Sequence, residues 1–210
     1  MKSEKQEKNM IKIGLCGSSG AGKGHVSSIF KKHGVEYIDT DNTYMKIATP
    51  HSPCLNEICT FFGDEILNPD GTLNKTSLAK RVFEGENSSQ RLKLLNRITH
   101  KYIRHDVERT MAELEKKGCP AVIIDAPVLF ESGFDELCDV TVCVTAPTEL
   151  KIQRIIKRDK ISEKKAIARI ESQLPDERLR ELCDYEIKND GRSDLKEQVN
   201  TVLRGIGIEK

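Results

Sequence analysis

The stretch with the clearest chemistry is the glycine-rich segment GSSGAGKG at residues 17–24. A short apolar run ending at Cys16 precedes it and apolar residues at helical spacing follow it, which is the strand–loop–helix context of a G-x-x-x-x-G-K phosphate loop. Glycines let backbone N–H groups turn inward around a phosphate, and the positive end of the following helix points to the same place. Lys23 adds a mobile cation for the outer phosphates. The residues predicted to surround a bound phosphate chain are Gly17, Ser18, Ser19, Gly20, Ala21, Gly22, Lys23, Gly24 and His25.

The residue after Lys23 departs from this motif. A Ser or Thr, whose hydroxyl is a magnesium ligand, is usual there, whereas this chain has Gly24 followed by His25. Magnesium prefers oxygen ligands, so we interpret His25 as a residue of the helix start rather than as a substitute ligand. The substitution weakens one metal contact and leaves the spacing of the loop intact.

Two acidic residues, Asp39 and Asp41, follow a short strand predicted at residues 35–38. Ligands of parallel α/β sheets gather at the carboxyl ends of strands, and residues two apart on an extended segment face the same side. Both acids would then look towards the phosphate loop, and Asp41 would orient or deprotonate an acceptor hydroxyl. Asp is equally typical of a helix N-cap, so the two interpretations stay open at this point.

The segment AVIID at residues 121–125 reads as a central parallel strand that ends in an acid. An acid in that position beside a phosphate loop is placed to hold magnesium directly or through water. Asp125 is therefore the predicted metal ligand.

Residues 43–117 carry helical patterns separated by short loops, which predicts a helical insertion that binds the acceptor. Arg97, His100 and Arg104 fall near one another on its long helix by i, i+3 and i+4 spacing. They either face an anionic acceptor or form a solvated basic surface.

Residues 148–175 read as two basic helices joined by a tight turn, an arrangement typical of a mobile lid. Arg154 and Arg158 are four residues apart and therefore share a face. There they would neutralise charge during phosphoryl transfer, although a solvated basic face is the structural alternative.

The composition excludes several classes of protein. Lys and Arg number 34 against 33 Asp and Glu, so no overall basic field favours nucleic acid or a membrane surface. No stretch approaches the roughly 18 apolar residues that a bilayer requires, and the polar start MKSEKQEKN lacks the apolar core of a signal peptide. The 7 cysteines are odd in number and contain no C-x-x-C pair. They favour reduced thiols in a cytoplasm.

In combination, the motifs resemble those of the dephospho-CoA kinase family from about Met10 to Leu203. They are IGLCGSSGAGKG, YIDTD, FFGDEIL with DGTLN, LNRITH, DAPVLFE, QRIIKRD, RIESQ and CDYEIKNDG. The resemblance implies a P-loop kinase fold, α/β in three layers with a central five-stranded parallel sheet. The implied core is 10–42 with 118–147 and 176–210, the acceptor-binding insertion is 43–117 and the lid is 148–175.

The same resemblance implies a reaction and roles for individual residues. The γ-phosphoryl of ATP would pass, with Mg²⁺, to the ribose 3′-hydroxyl of dephospho-CoA, giving CoA and ADP. Asp41 would be the general base or hydroxyl-orienting residue, Lys23 would contact the outer phosphates, and Asn189 would lie near the adenine. His100 with its neighbours Arg97 and Arg104 would line the acceptor side. Arg154 and Arg158 would belong to the catalytic lid, and the enzyme would be a monomer or a weak oligomer.

Two departures from the family pattern matter for the chemistry, and two other hypotheses compete with it. The family usually reads G-G-I-G-S-G-K-S in the loop and H-P after L-N-x-x-T, whereas this chain has Gly24 and Lys101 in place of the serine and the proline. The G-K-G sequence also fits an adenylate-kinase-like monophosphate kinase, although DGTLN, LNRITH and DAPVLFE favour the CoA enzyme. The third hypothesis is an ATP-binding protein without turnover. The presence of Lys23, Asp41 and Asp125 argues against it, because an enzyme that had lost its activity would be expected to lose some of them.

Overall fold

A computed structural model describes residues 9–208 of the chain. Its strands are β1 Ile11–Cys16, β2 Glu36–Asp39, β3 Ala121–Asp125, β4 Val140–Thr145 and β5 Tyr185–Lys188. They form one sheet in the order β2-β3-β1-β4-β5, and the β1–β3, β1–β4 and β4–β5 pairs are parallel. Every residue of β3 and β4 is buried, as expected for parallel strands covered on both faces. The predicted five-stranded α/β fold is confirmed.

The described residues also form nine α-helices, and contacts divide the chain into two units. The helices are α1 Lys23–Lys31, α2 Thr40–Ile47, α3 Pro53–Phe62, α4 Lys75–Phe83, α5 Ser88–Lys116, α6 Thr148–Asp159, α7 Glu163–Glu171, α8 Asp176–Leu182 and α9 Leu195–Gly205. The first unit runs through Ile38 and resumes at Ala112, and the second unit is Asp39–Met111. Between residues 9 and 208, no helix combines the length and the apolar content that crossing a membrane requires.

In the core of the first unit, the central strand β1 packs with helices α1 and α9. Ile13 and Leu15 of β1 are fully buried, as are Phe30 of α1 and Val199 of α9. Each such side chain contributes about 1.5–3 kcal/mol to stability by leaving water. This packing fixes the ends of β1 and α1, and hence the loop between them.

The second unit has an apolar core of its own, built from α3, α4 and α5. Ser52 caps α3 by accepting a hydrogen bond from the Leu55 N–H, and Asn74 caps α4 in the same way from Ser77. Asp70 accepts hydrogen bonds from the Thr72 N–H at 3.0 Å and the Thr72 hydroxyl at 2.6 Å. The DGTLN motif therefore forms a turn that leads directly into the cap of α4.

The arrangement predicted for Asp39 and Asp41 is wrong in one respect. Helix α2 begins at Thr40, so the two acids do not lie on an extended segment. The Asp39 carboxylate accepts a hydrogen bond from the Asn42 N–H at 3.0 Å and is the N-cap of α2. Asp41 is exposed in the first turn of the same helix. The cap satisfies an N–H group that would otherwise lack a partner, which allows the helix to start directly after β2.

Candidate active site

The glycine loop is held so closely by its neighbours that two of its positions exclude any side chain. Gly17 has φ 147°, and a Cβ there would lie 2.5 Å from the carbonyl oxygen of Val144 in β4. Gly20 has φ 82°, and its Cβ would lie 2.5 Å from the carbonyl oxygen of Lys151 in α6. Strand β4 and helix α6 therefore fix the path of the loop through backbone contact.

Lys23 and Asp125 meet at the carboxyl edge of the sheet, as the sequence predicts. Lys23 is the first residue of α1, and its Nζ donates a hydrogen bond to the Gly17 carbonyl oxygen at 2.9 Å. The same Nζ lies 4.0 Å from Asp125 Oδ1. Asp125 is brought there because β3 is paired with β1, where it stands opposite Leu15. Tyr37, which the sequence did not single out, donates its hydroxyl proton to Asp125 Oδ2 at 2.6 Å.

The donor set suits a magnesium ion held jointly with phosphate. Within residues 9–208, no group of three His, Cys, Asp or Glu side chains could enclose a metal. Magnesium is commonly held by one or two carboxylates together with substrate phosphates, keeping several waters. Asp125, a buried carboxylate 4.0 Å from the loop lysine, is an oxygen donor in the right place for such an ion. Gly24 contributes no side-chain ligand.

Arg154 and Asn189 donate hydrogen bonds to backbone carbonyl groups of the glycine loop. Arg154 Nη1 lies 3.2 Å from the Gly20 carbonyl oxygen and 3.3 Å from that of Ala21. Its Nη2 donates to the backbone and side-chain oxygens of Asn189, while Asn189 Nδ2 donates to the Ala21 carbonyl at 2.8 Å. Arg154 is half-buried and Asn189 is buried. Both predicted residues thus reach the loop, where they hold its carbonyl groups.

Arg158 lies at the exposed end of α6 and is engaged by an adjacent acid. Its Nε donates to Asp159 at 2.7 Å, and its Nη2 lies 3.5 Å from the Ser19 hydroxyl. Arg169 of α7 also donates to Asp159. Both guanidinium groups lower the pKa of the Asp159 carboxyl, from 3.8 to about 2, and the hydrogen bond from Arg158 has the largest effect. Asp159 therefore joins the two basic helices through charge.

A buried polar cluster behind the loop was missed by the sequence analysis. Lys151 Nζ donates to Asp176 Oδ1 at 3.0 Å and to the Ser18 hydroxyl oxygen at 3.1 Å. Gln173 accepts a hydrogen bond from the Ser19 N–H at 2.7 Å. The available signal was helical spacing, since Lys151 lies four residues before the fully buried Ile155 and so shares its apolar face.

The same cluster borders a cavity of about 720 Å³ in the first unit. Lys151, Gln173 and Asp176 contribute to its lining together with residues from the ends of β4 and β5. These three side chains therefore contact the glycine loop and also form part of the cavity wall.

The predicted acceptor residues of the second unit lie along α5. Arg97 is exposed, whereas His100 and Arg104 are half-buried. Lys101, which stands where the family has proline, forms an ion pair with Glu57 of α3 at 2.5 Å, and the Tyr102 hydroxyl donates to the same oxygen at 2.6 Å. Proline within a helix removes a hydrogen bond and distorts the axis. With lysine in that position, α5 runs unbroken for 29 residues.

His100 is expected to titrate below the usual histidine range, because burial lowers its pKa from 6.5. Its folded form then binds fewer protons than its unfolded form, so this residue's stabilising contribution is complete above pH 6.5 and declines as the pH falls below it. Proton NMR of the imidazole across this range, assigned with His100→Gln, measures the midpoint. A midpoint at or above 6.5 would contradict the expectation and the desolvated environment behind it.

Comparisons with known proteins point to one family. The family model described as dephospho-CoA kinase matches residues 11–194. A dephospho-CoA kinase from Corynebacterium efficiens is 36% identical over 94% of this chain and 98% of its own length, and one from Lactobacillus johnsonii is 33% identical over 93% and 98%. The solved structure of a dephospho-CoA kinase from Campylobacter jejuni superposes with a TM-score of 0.66 and 27% identity, covering 93% of this chain and 96% of that one.

Proposed function

Because the chain belongs to the dephospho-CoA kinase family, we propose that its glycine loop holds ATP and that Asp41 acts on the acceptor hydroxyl. The reaction transfers the γ-phosphoryl of ATP to the ribose 3′-hydroxyl of dephospho-CoA, giving CoA and ADP. The relatives carry the name of this enzyme and not that of a monophosphate kinase. The adenylate-kinase-like alternative is therefore set aside.

The single observation that carries the ATP site is the position of the Lys23 ammonium group. It lies at the mouth of the loop, 2.9 Å from the Gly17 carbonyl oxygen and 4.0 Å from Asp125. A phosphoryl group in transfer spreads negative charge over its oxygens, and catalysis is mostly positioning and neutralisation of that charge. The Lys23 cation, with the N–H groups at the start of α1, supplies both.

We assign the metal role to Asp125, which would hold Mg²⁺ together with the phosphates. When bound, the ion neutralises charge on the transferring phosphoryl group. Tyr37 fixes the carboxylate through the 2.6 Å hydrogen bond to Oδ2. The other oxygen, Oδ1, lies 4.0 Å from Lys23 Nζ.

On the acceptor side, Asp41 would accept or orient the proton of the ribose hydroxyl. Arg97, His100 and Arg104 would contact the anionic groups of dephospho-CoA. The exposure of Asp41 and Arg97 supports a role in binding solute molecules. Burial lowers the pKa of the half-buried His100, which favours its neutral form. It would donate or accept a hydrogen bond rather than supply charge.

We propose that residues 148–175 act as the lid and that Arg154 and Arg158 serve different purposes within it. Arg154 is tied to loop carbonyls and to Asn189, so it shapes the nucleotide side of the loop. Arg158 lies 3.5 Å from the Ser19 hydroxyl and is more exposed. It is the better placed of the two to reach the outer phosphates. Asn189 adjoins the loop at Ala21, which agrees with a place near the adenine.

A cytoplasmic location completes the proposal. The support is chemical, since all seven cysteines are free thiols and disulfides are rare in reducing compartments.

The test of the proposed function is ADP release from ATP and magnesium with either dephospho-CoA or AMP as the acceptor. We expect release with dephospho-CoA and none with AMP. Release with AMP alone would return the protein to the monophosphate kinases. Absence of release with both, despite measurable ATP binding, would favour a binding protein without turnover.

The variant Gly24→Ser is expected to fold normally and to lower the magnesium concentration needed for half-maximal ADP release. A Cβ at this exposed position would meet no atom of the described chain beyond its local helix within 4 Å, and serine is favoured over glycine in a helix by up to about 0.5 kcal/mol. The hydroxyl restores the usual magnesium ligand. Gly24→Ala is the matched control, because it makes the same backbone change without the hydroxyl. Equal magnesium requirements in the two variants would show that the missing hydroxyl is unimportant here.

A further inference from the structure

A buried ion pair is hydrogen-bonded to the phosphate loop, and the sequence motifs of the loop do not account for it. Lys151 is 4% exposed and Asp176 is 9% exposed, and their Nζ and Oδ1 atoms are 3.0 Å apart. The Ser18 side chain, 3% exposed, closes the cluster with 3.1 Å contacts to both partners. The second oxygen of Asp176 lies 3.4 Å from the N–H of Ala146, directly after β4. Each member of the cluster is therefore hydrogen-bonded to the others within the core.

Burying an ion pair is a costly way to fill space. Removing two charges from water costs several kcal/mol per ion, and apolar residues of similar volume often stabilise a fold equally well or better. A role in stability alone is thus a poor account of Lys151 and Asp176. The ion pair instead fixes the position of the Ser18 hydroxyl, because both charged groups are hydrogen-bonded to it.

Ser18 itself stands where the usual family loop, G-G-I-G-S-G-K-S, has glycine. Its hydroxyl gives the loop a hydrogen-bonding group that a glycine lacks. That hydroxyl accepts a hydrogen bond from Lys151 and donates one to Asp176. A second contact acts on the next residue, where the Ser19 N–H donates to Gln173 at 2.7 Å. The loop is therefore fixed at two consecutive residues by side chains from α6, from α8 and from the segment before α8.

We propose that Ser18, Lys151 and Asp176 form a latch that positions the glycine loop to receive ATP phosphates, with Lys151 and Asp176 as positioning residues that act through Ser18. The inference rests on the proposed ATP site in the same loop. Lys151 and Asp176 need not touch the nucleotide, since their effect passes through the hydroxyl of Ser18. Through Lys151, the latch also joins the loop to α6, the first helix of the proposed lid.

The first experiment is Ser18→Ala, which removes the hydroxyl and leaves the ion pair in place. We expect the Kd for ATP to rise about tenfold, equivalent to ~1.4 kcal/mol, with an unchanged KM for dephospho-CoA and a small change in Tm. Ser28→Ala is the matched control, since that exposed hydroxyl donates to His25 within α1. An unchanged ATP Kd in Ser18→Ala would overturn the proposal.

The second experiment separates the latch from the stability of the core. Lys151→Met or Asp176→Leu alone leaves one buried charge uncompensated, so each is expected to lower Tm strongly. The double variant removes both charges and is expected to recover Tm while its ATP Kd stays raised. If the double variant had the Tm and the ATP Kd of the original chain, the pair would only fill space in the core, and the latch proposal would be overturned.

These readouts also distinguish the latch from the site on which it rests. If the original chain binds no ATP, the proposed ATP site fails before any variant is compared. If the original chain binds ATP and Ser18→Ala binds it equally well, only the latch fails.

Discussion

Replacing Asp41 by asparagine is expected to lower turnover by about two to four orders of magnitude, with the affinity for ATP unchanged. In the proposed reaction, the carboxylate takes or orients the proton of the acceptor hydroxyl, and an amide does not accept a proton at neutral pH. Asp41 is exposed in the first turn of α2, so an amide of nearly the same shape leaves the helix intact. ADP release measures turnover, and calorimetric titration measures ATP binding.

Asp194→Asn is the matched control for this loss of charge. Asp194 caps α9 by accepting hydrogen bonds from the N–H groups of Lys196 and Glu197, and asparagine keeps a capping oxygen. We expect normal turnover in this control. A near-normal rate in Asp41→Asn would remove Asp41 from the mechanism, and a joint loss of turnover and ATP binding would indicate misfolding instead.

Lys23→Met is expected to reduce kcat by about two to three orders of magnitude, the usual consequence of losing one preorganised charge partner of the transition state. The Nζ group is the cation at the mouth of the loop, 2.9 Å from the Gly17 carbonyl oxygen. Methionine keeps the length of the side chain and removes its charge. Because in the proposed site this charge would also face the ground-state phosphates, ATP affinity is expected to fall as well.

The exposed Lys196 in the first turn of α9 provides the comparison for this second variant. Lys196→Met removes the same charge from an exposed position of the same unit, so it is expected to retain full activity. Steady-state kinetics of both variants, with Tm as a check on folding, complete the experiment. An unreduced kcat in Lys23→Met would place the phosphates elsewhere.

The parts of the site that the sequence predicts are those fixed by chain neighbours and by sheet topology. Residues 17–24 follow β1 directly, so their glycines and Lys23 must form the turn into α1. Asp125 ends a fully apolar strand, and parallel pairing with β1 carries it to the same edge. These inferences need a local pattern and one rule about strands.

The parts that the sequence misses depend on contacts between distant residues or on competing local signals. Lys151 and Ser18 are 133 positions apart, and nothing local to either shows that they meet. Tyr37 and Asp125 are separated by 88 positions. For Asp39, strand continuation and helix capping are both compatible with the residue type. The cap prevails because Asp39 satisfies the Asn42 N–H and allows α2 to begin.

The glycines of the phosphate motif have a consequence for sorting related sequences into active and inactive members. Gly17 and Gly20 are required because carbonyl groups of β4 and α6 lie where a Cβ would be, so the crowding comes from the chain itself. A descendant that had lost all chemistry would still need both glycines to fold. At Gly24 a side chain meets open space, so folding imposes no steric demand there. The residue at position 24 can therefore follow selection on metal use, which makes it a better marker of activity than the glycines by which the loop is found.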